Sequence, residues 1–179
     1  PEIFRLDKNM RPKEVAGVPP DYFSADGQLW GNPLYDWKKQ QADGFVWWHH
    51  RLLHQLQFFD KIRIDHFRAF ESYYAVPYGA TTAKIGRWVK GVGTKIFDGL
   101  DLDDRIIAED LGIITDKVRR LVKRTGFPGM KVFQFAFDGK SDNEHLPENV
   151  RYNTVYYTGT HDNDTLKGWY DALDDGTKE

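Results

Sequence analysis

Residues 62–70 read IRIDHFRAF, a short apolar strand pattern that runs into a cluster of ionisable side chains. Ile62 and Ile64 are β-branched and have one residue between them, which is typical of a strand. Asp65, His66 and Arg68 follow directly. A solvated surface strand and an active site at the end of a buried strand both fit this pattern, so the rest of the sequence has to separate them.

Short apolar strands alternate with helices over residues 42–179. The predicted elements, in order, are a helix over 45–56, a strand over 61–64, a helix over 83–90, a strand over 105–108, a helix capped by Thr115 and ended by Gly126, strands over 130–137 and 154–160, and a helix over 166–173. Alternation of this kind predicts an α/β fold with a parallel sheet.

Residues 1–41 differ from the rest because they are rich in Pro, Gly, Asp and Asn and show no sustained hydrophobic period. We expect a long irregular loop there, which in a compact domain indicates a functional segment. Aromatic residues make up 15% of the chain, and several of them lie in the stretch PPDYFSADGQLWGNPLYDW at 19–37. Aromatic side chains in loops favour stacking against flat apolar faces such as sugar rings.

Three acids each follow a predicted strand: Asp65, Glu109 and Asp162. The carboxyl ends of parallel strands meet at one edge of the sheet, which is where α/β folds place their chemistry. A lone Asp after a strand is most often a turn former or a helix cap. Convergence of all three acids on one edge favours a catalytic site over those separate explanations.

Two carboxylates on either side of a bond suit glycosyl transfer. Asp65 is the better nucleophile candidate, because Arg63 lies on the same side of the strand and favours the ionised form. Glu109 is the candidate general acid, its pKa raised either by burial or by the charge of the adjacent Asp110. Asp162 then remains to bind sugar hydroxyls.

Other site types stay open from the residues alone. The run HDND at 161–164 also has the oxygen and nitrogen donors of a divalent metal site, although no HExxH spacing accompanies it. A second alternative is a glucan-binding module whose acids take no part in catalysis. The presence of Glu109 argues against it, because sugar binding alone does not need this acid. No Gly-rich phosphate loop is present, since GVGTK at 91–95 lacks P-loop spacing, and we expect no metal and no cofactor.

Composition excludes several classes of function. The chain of 179 residues has a net charge of −2 and no cysteine. Disulfides, thiol catalysis and cysteine metal sites are therefore excluded. Neither nucleic acid nor a membrane is an expected partner, since no basic run and no membrane-length apolar stretch occurs. The lack of cysteine favours the cytoplasm, and a plastid enzyme without its transit peptide would look the same.

Five segments together resemble the amylomaltase or disproportionating-enzyme family, the 4-α-glucanotransferases related to α-amylases. They are AGVPPDYFSADGQLWGNPLYDW, RIDHFRAFESYYAVP, IIAEDLG, PGMKVFQFAF and YTGTHDNDT, within residues 16–165. The resemblance implies Asp65 as nucleophile, Glu109 as general acid/base and Asp162 as transition-state stabiliser. It implies a retaining double displacement between α-1,4-glucan or maltooligosaccharide donors and acceptors. An α-glucan hydrolase of the same architecture is the alternative.

The resemblance also implies substrate-binding residues and a fold. These residues are Arg63, His66, His161, Asp21, Gln28 and Trp30. The implied fold is a (β/α)8 barrel, which needs about 250 residues. We therefore expect residues 1–179 to be a fragment of a single catalytic domain. Residues 1–41 would form its substrate-groove loop, and 42–179 would run from strand 4 to just after strand 7. Alone, such a fragment is expected to be inactive.

Overall fold

This computed structural model describes residues 2–21 and 24–178. Tyr22 and Phe23 of the aromatic stretch at 19–37 lie outside the described residues. The helices and strands, in chain order, are β1 (Glu14–Val18), β2 (Gln28–Pro33), α1 (Trp37–Ala42), α2 (Val46–Gln55), β3 (Ile62–Ile64), β4 (Ser72–Pro77), β5 (Arg87–Lys90), β6 (Ile106–Ala108), α3 (Asp116–Thr125), β7 (Gly129–Val132), β8 (Thr154–Tyr157), α4 (Leu166–Ala172) and α5 (Asp175–Lys178).

Two pairs of parallel strands lie where the apolar patterns predicted strands. In the first pair β3 lies beside β6, with Ile62 opposite Ile106 and Ile64 opposite Ala108. In the second pair β7 lies beside β8. A backbone hydrogen bond of 2.8 Å from the Ala108 amide to the Pro128 carbonyl connects the end of β6 to the residue before β7. The chain thus has mixed α/β content, with parallel pairing where the apolar strand patterns predicted it.

An antiparallel sheet of four strands, in the order β2-β1-β4-β5, was not predicted. The prediction of an irregular loop over 1–41 is wrong for β1, for β2 and for α1, which begins at Trp37. Gly17 in β1 lies so close to the Gln28 backbone that an added Cβ would meet its carbonyl oxygen. A glycine that allows two strands to approach closely has the same local sequence pattern as a loop glycine, which explains the error.

The helix predicted over 83–90 is also wrong. Residues Ala83–Ile85 form a single 3-10 turn, and β5 then pairs with β4, with Trp88 opposite Tyr74. Gly86 separates the two elements, and an added Cβ there would meet the Tyr74 ring. The pairing with β4 therefore overrides the local pattern, since strand preference depends on cross-strand packing more than on the segment itself.

The strand predicted over 130–137 is shorter than expected. β7 ends at Val132, and the chain continues as a 3-10 turn over Phe133–Phe135. The predicted helices at 45–56 and 166–173 are confirmed as α2 and α4. For α3 the ends are confirmed as well, because the Thr115 hydroxyl accepts from the Val118 amide and Gly126 has a φ of 72°.

The main core lies between α2, β3, β6 and α3. Its buried members are Phe45, Trp48, Leu52, Leu56, Ile64, Phe67, Phe70, Ile96, Phe97, Leu102, Ile106, Ala108, Leu121 and Phe127. Six of these fourteen residues are aromatic, and Phe67 and Phe97 form a stacked pair whose centroids are 5.8 Å apart. Packing of this kind holds the carboxyl ends of β3 and β6 in place. Over the described ranges, the helices are all too short or too polar to cross a bilayer.

Candidate active site

The ends of β3 and β6 place two of the predicted acids next to each other. Asp65 follows β3 directly and Glu109 follows β6 directly. The Glu109 amide donates to the Ile64 carbonyl at 3.0 Å, and the Phe67 amide donates to the Glu109 carbonyl at 3.0 Å. These backbone bonds fix the two strand ends side by side. Asp162 differs from the prediction, because it lies beyond β8, which ends at Tyr157, and is separated from it by a bend.

A cleft of about 320 Å³ brings eight of the nine predicted site residues together. They are Asp21, Gln28, Trp30, Arg63, Asp65, His66, Glu109 and Asp162. His161 is the exception, since it does not line this cleft. The residues come from β2 and the loop before it, from β3, and from the segments after β6 and β8, so residues more than a hundred positions apart in sequence meet at one surface.

A second cleft of about 530 Å³ adjoins the first and shares Gln28, Trp30, Asp65, His66 and Asp162 with it. Six further aromatic side chains line it: Tyr35, Trp37, Trp48, Phe70, Tyr73 and Tyr74. The predicted aromatic platform at 19–37 therefore contributes Trp30, Tyr35 and Trp37 to these surfaces. Asp65 and Asp162 line both clefts, so an extended ligand can reach these two acids from either cleft.

Asp65 forms an ion pair with Arg63, with 2.8 Å between Oδ1 and Nη1. The Arg63 Nε donates to the Met130 sulfur at 3.3 Å, which anchors the guanidinium against β7. The Asp65 side chain is 72% exposed and faces the cleft. Its second oxygen bonds no described group. The arrangement orients a carboxylate and leaves one oxygen available to a ligand.

Glu109 is only 8% exposed, and both of its oxygens accept backbone hydrogen bonds. Oε1 accepts from the Leu111 amide at 2.8 Å, and Oε2 accepts from the His66 amide at 2.7 Å. Burial is the main reason that the pKa of the Glu109 carboxyl is raised, and the nearby Asp65 charge adds to it. The two amide bonds oppose the shift. Glu109 thus has the electrostatic environment of a proton donor.

Asp110, the second explanation proposed for a raised Glu109 pKa, has different partners. Its Oδ1 accepts from the Met130 amide at 2.8 Å, and its Oδ2 lies 3.8 Å from the Lys131 ammonium. These contacts connect the loop after β6 to β7. Burial rather than Asp110 therefore accounts for the environment of Glu109.

His66 adopts a left-handed backbone conformation with φ of 48°. This conformation is uncommon for a residue other than glycine and turns its amide toward Glu109. The ring lies edge-on to Trp30, with centroids 4.8 Å apart. Burial, with the Arg68 charge, lowers the pKa of His66 to about 4. Its Nε2 is buried and has no hydrogen-bond partner among the described residues, so a ligand in the cleft could supply one.

The β2 strand contributes Gln28 and Trp30 to the cleft. The Trp30 indole donates to the Gln28 side-chain oxygen at 3.1 Å, and Trp30 remains 42% exposed. Asp21 lies in the preceding turn, where its Oδ1 accepts from the Ser24 amide at 2.9 Å. The indole face of Trp30 is therefore held in one orientation at the mouth of the cleft.

Asp162 and His161 lie on an exposed turn after β8. Their side chains are 3.5 Å apart between Oδ1 and Nε2, and Asp162 is 81% exposed. The Asn163 side-chain oxygen accepts from both the amide and the hydroxyl of Thr160, at 2.9 Å and 2.8 Å. This turn presents Asp162 to both clefts, while His161 lines neither of them.

Arg68 is a cleft residue to which the sequence assigned no role. It is 5% exposed, and its guanidinium lies 4.1 Å from the centre of the Trp88 ring. It donates to the Ile113 carbonyl at 2.6 Å and to the Ser72 hydroxyl at 3.2 Å. The only signal in the sequence was its place in IRIDHFRAF. Its partners come from β4, β5 and the loop after β6, which local patterns do not reveal.

A metal site at the HDND run needs a set of facing ligands. Within residues 2–21 and 24–178 no group of three or more His, Asp and Glu side chains is arranged to hold a metal ion. The residues of the cleft offer carboxylates and hydrogen-bond donors to a ligand.

Comparison with protein families gives one match over the whole chain. The sequence model of the family described as 4-alpha-glucanotransferase matches residues 1–179. Among curated proteins, this chain is 51% identical to the 4-alpha-glucanotransferase of Clostridium butyricum, covering 100% of this chain and 37% of that protein. It is 51% identical to a chloroplastic/amyloplastic 4-alpha-glucanotransferase of Arabidopsis thaliana, covering 98% of this chain and 31% of that protein.

Two solved amylomaltase structures are similar in fold to this chain. The fold resembles that of an amylomaltase from Streptococcus agalactiae in complex with acarbose, with a TM-score of 0.92 and 41% identity over 99% of this chain and 37% of that one. An amylomaltase from Corynebacterium glutamicum has a similar fold, with a TM-score of 0.78 at 21% identity, over 89% of this chain and 23% of that one. The chain thus spans about a third of the length of the proteins it matches.

Proposed function

This chain belongs to the 4-alpha-glucanotransferase family, and on that premise we propose that it carries the catalytic acids of an enzyme that transfers α-1,4-glucan segments between maltooligosaccharides or starch-like glucans. The observation that supports this most strongly is the meeting of Asp65, Glu109 and Asp162 at one cleft. The proposed reaction is a retaining double displacement, in which one carboxylate attacks and another moves a proton. It uses side chains alone and needs neither an organic cofactor nor a metal.

Asp65 is the proposed nucleophile. Its ion pair with Arg63 orients the carboxylate, and its exposed second oxygen faces the cleft. Attack on the anomeric carbon would form a glycosyl ester with the non-reducing part of the donor. The reducing part would leave as a free sugar.

Glu109 is the proposed general acid and base. Before attack, burial and the Asp65 charge favour its protonated form, so it can donate to the leaving oxygen. Once Asp65 is esterified, that charge is gone, and the two amide bonds to Glu109 favour the carboxylate. The same residue can then take a proton from the 4-hydroxyl of an acceptor glucan.

Asp162 is the proposed transition-state stabiliser, and the remaining cleft residues are proposed to bind sugar. Asp162 reaches both clefts, which supports hydrogen bonding to the ring under attack. Trp30 offers an indole face for stacking, and His66 has a free buried nitrogen for a hydroxyl. Gln28 and Asp21 line the same wall, and Arg63 lies behind Asp65. For His161 we propose a contact with the same sugar, which would require its exposed ring to turn toward the cleft.

We further propose that the two parallel pairs are neighbouring strands of a (β/α)8 barrel. The support is the bond between Ala108 and Pro128, which makes β3, β6, β7 and β8 a continuous series of strands. Residues 1–179 would then be one part of a single catalytic domain, with the antiparallel sheet at 14–33 and 72–90 forming one wall of the substrate groove. The strands of the barrel beyond this chain would cover the open edge of β3.

A cytoplasmic or plastid location is proposed with the enzyme. The absence of cysteine fits a reducing compartment, and one relative is named as chloroplastic/amyloplastic. Fractionation of cells that express the tagged full-length protein tests this proposal, and recovery outside the cell would contradict it.

The experiment that tests the function is incubation of the full-length protein with maltotriose, with products separated by size. Glucose together with maltopentaose and longer chains supports transfer. Glucose and maltose without longer products would mean that water is the acceptor, and the protein would be a hydrolase. An unchanged substrate would reject both activities.

A further inference from the structure

A third concave surface adjoins the 530 Å³ cleft, with which it shares Trp37 and Phe70. It encloses about 690 Å³ between α1, β5, the 3-10 turn at Gly93–Phe97 and α3, and shares no lining residue with the 320 Å³ cleft. We name it the basic groove. Its six cationic side chains are Lys38, Lys90, Lys95, Lys117, Arg120 and Arg124.

Within the part of the chain that the structure describes, the cations of the basic groove lack ion-pair partners. None of the six cationic groups forms an ion pair or a side-chain hydrogen bond with any residue that the structure describes. The one acid in the lining, Glu71, accepts from the Ser72 hydroxyl at 2.5 Å. By contrast, Arg119 on another face of α3 pairs with Glu144 at 2.5 Å. The concentration is local, because the whole chain has a net charge of −2.

This concentration of charge costs helix stability. Lys117 and Arg120 are three residues apart on α3, and Arg120 and Arg124 are four apart. Like charges at these spacings are neighbours on a helix and destabilise it. An anion held between them would convert the repulsion into attraction. Val118 and Leu121 of this helix are buried in the core, which accounts for their apolar side chains. Core packing gives no reason for the cationic side chains.

We propose that the basic groove binds a phosphorylated sugar. Its volume is in the range of small-molecule sites rather than of a protein or nucleic-acid interface. Lysine and arginine are the side chains that recognise phosphate, and one phosphate group brings up to two negative charges into a small space. The half-buried Trp37 ring, which also lines the 530 Å³ cleft, lies in the lining and offers an apolar surface to the sugar. The inference goes beyond the proposed function, since the groove shares no lining residue with the 320 Å³ cleft that holds the three acids.

The test is titration calorimetry of the full-length protein at low ionic strength, with glucose 6-phosphate, inorganic pyrophosphate and glucose as probes. The groove variant is Lys117→Gln with Arg120→Gln. The control variant is Arg119→Gln with Lys123→Gln, which removes the same charge from the same helix outside the groove. We expect glucose 6-phosphate to bind more tightly than glucose, and the groove variant to weaken it by about tenfold or more. The control variant should change the affinity by less than about twofold.

Each other result overturns a defined part of the proposal. Equal weakening by both variants would mean general attraction to a basic helix. Binding of pyrophosphate without binding of glucose 6-phosphate would reject the sugar, and no binding of either would reject the site. Maltotriose transfer is measured in the same groove variant and should be unchanged, so failure of the groove and failure of the proposed catalysis are read separately.

Discussion

The amide of His66 donates to Oε2 of Glu109 at 2.7 Å, so the residue next to the proposed nucleophile holds the proposed acid. The contact depends on the left-handed backbone of His66 and on the parallel pairing of β3 with β6. It ties together two residues that are 43 positions apart in sequence. Their roles can be tested one by one.

Replacement of Asp65 by Asn should abolish glucan transfer, because an amide cannot form the glycosyl ester. The expected loss of kcat is at least about 10⁴-fold, measured by product analysis with maltotriose. The control is Asp26→Asn, which also removes an exposed carboxylate from an ion pair, with Lys84 at 2.6 Å, outside the clefts. Substantial activity of the Asp65 variant would contradict the nucleophile role.

Glu109→Gln should slow the reaction of natural glucans by about 10² to 10⁴-fold, because the leaving oxygen loses its proton donor. Substrates whose leaving group needs no proton, such as a glucosyl fluoride, should lose much less in the first step. The ratio of the two rates is the measurement, and the exposed Glu148→Gln is the control. Equal losses for both substrates would remove Glu109 from the acid role.

The stability of the protein should fall as the pH drops from about 6.5 to about 4, because of His66. Burial lowers the pKa of folded His66 to about 4 from an ordinary value near 6.5. Between these values the unfolded chain binds more protons than the folded chain, so acid favours unfolding. The contribution is at most about 3 kcal/mol and is fully present above pH 6.5.

His66→Asn isolates this pH dependence, since asparagine tolerates the left-handed backbone at this position. Denaturant unfolding of the full-length variant at pH 7, 5.5 and 4.5 should show a shallower loss of the free energy of unfolding than the unmodified protein shows. His54→Asn, on the exposed face of α2, should leave the profile unchanged. If the free energy of unfolding fell equally with pH in all three proteins, His66 would not be the source of the pH dependence.

Replacement of Arg68 by Lys should destabilise the protein by about 2 kcal/mol, although the charge is kept. Lysine cannot reproduce the flat contact with Trp88 together with the bonds to Ile113 and Ser72. Chemical denaturation measures the change, with Arg119→Lys as an exposed control that should cost less than about 0.5 kcal/mol. A similar small effect at both positions would show that the Arg68 contacts add little.

The sequence by itself determined the local features of this protein. Ile62 and Ile64 before Asp65, and the apolar run before Glu109, predicted strands with acids at their ends. Thr115 and Gly126 predicted both ends of α3. These features depend on residues within a few positions of each other, and hydrophobic period, capping and turn preference act over that range.

Only the tertiary structure decided which distant segments meet. β1 and β2 read as a loop and residues 87–90 as a helix, since each becomes a strand only by pairing within the sheet built around β4. The sequence left open whether burial or Asp110 raises the pKa of Glu109, and the fold decided for burial. The place of Arg68 likewise follows from contacts with segments from elsewhere in the chain. Burial and cross-strand pairing are properties of the assembled fold, so no local pattern of residues contains them.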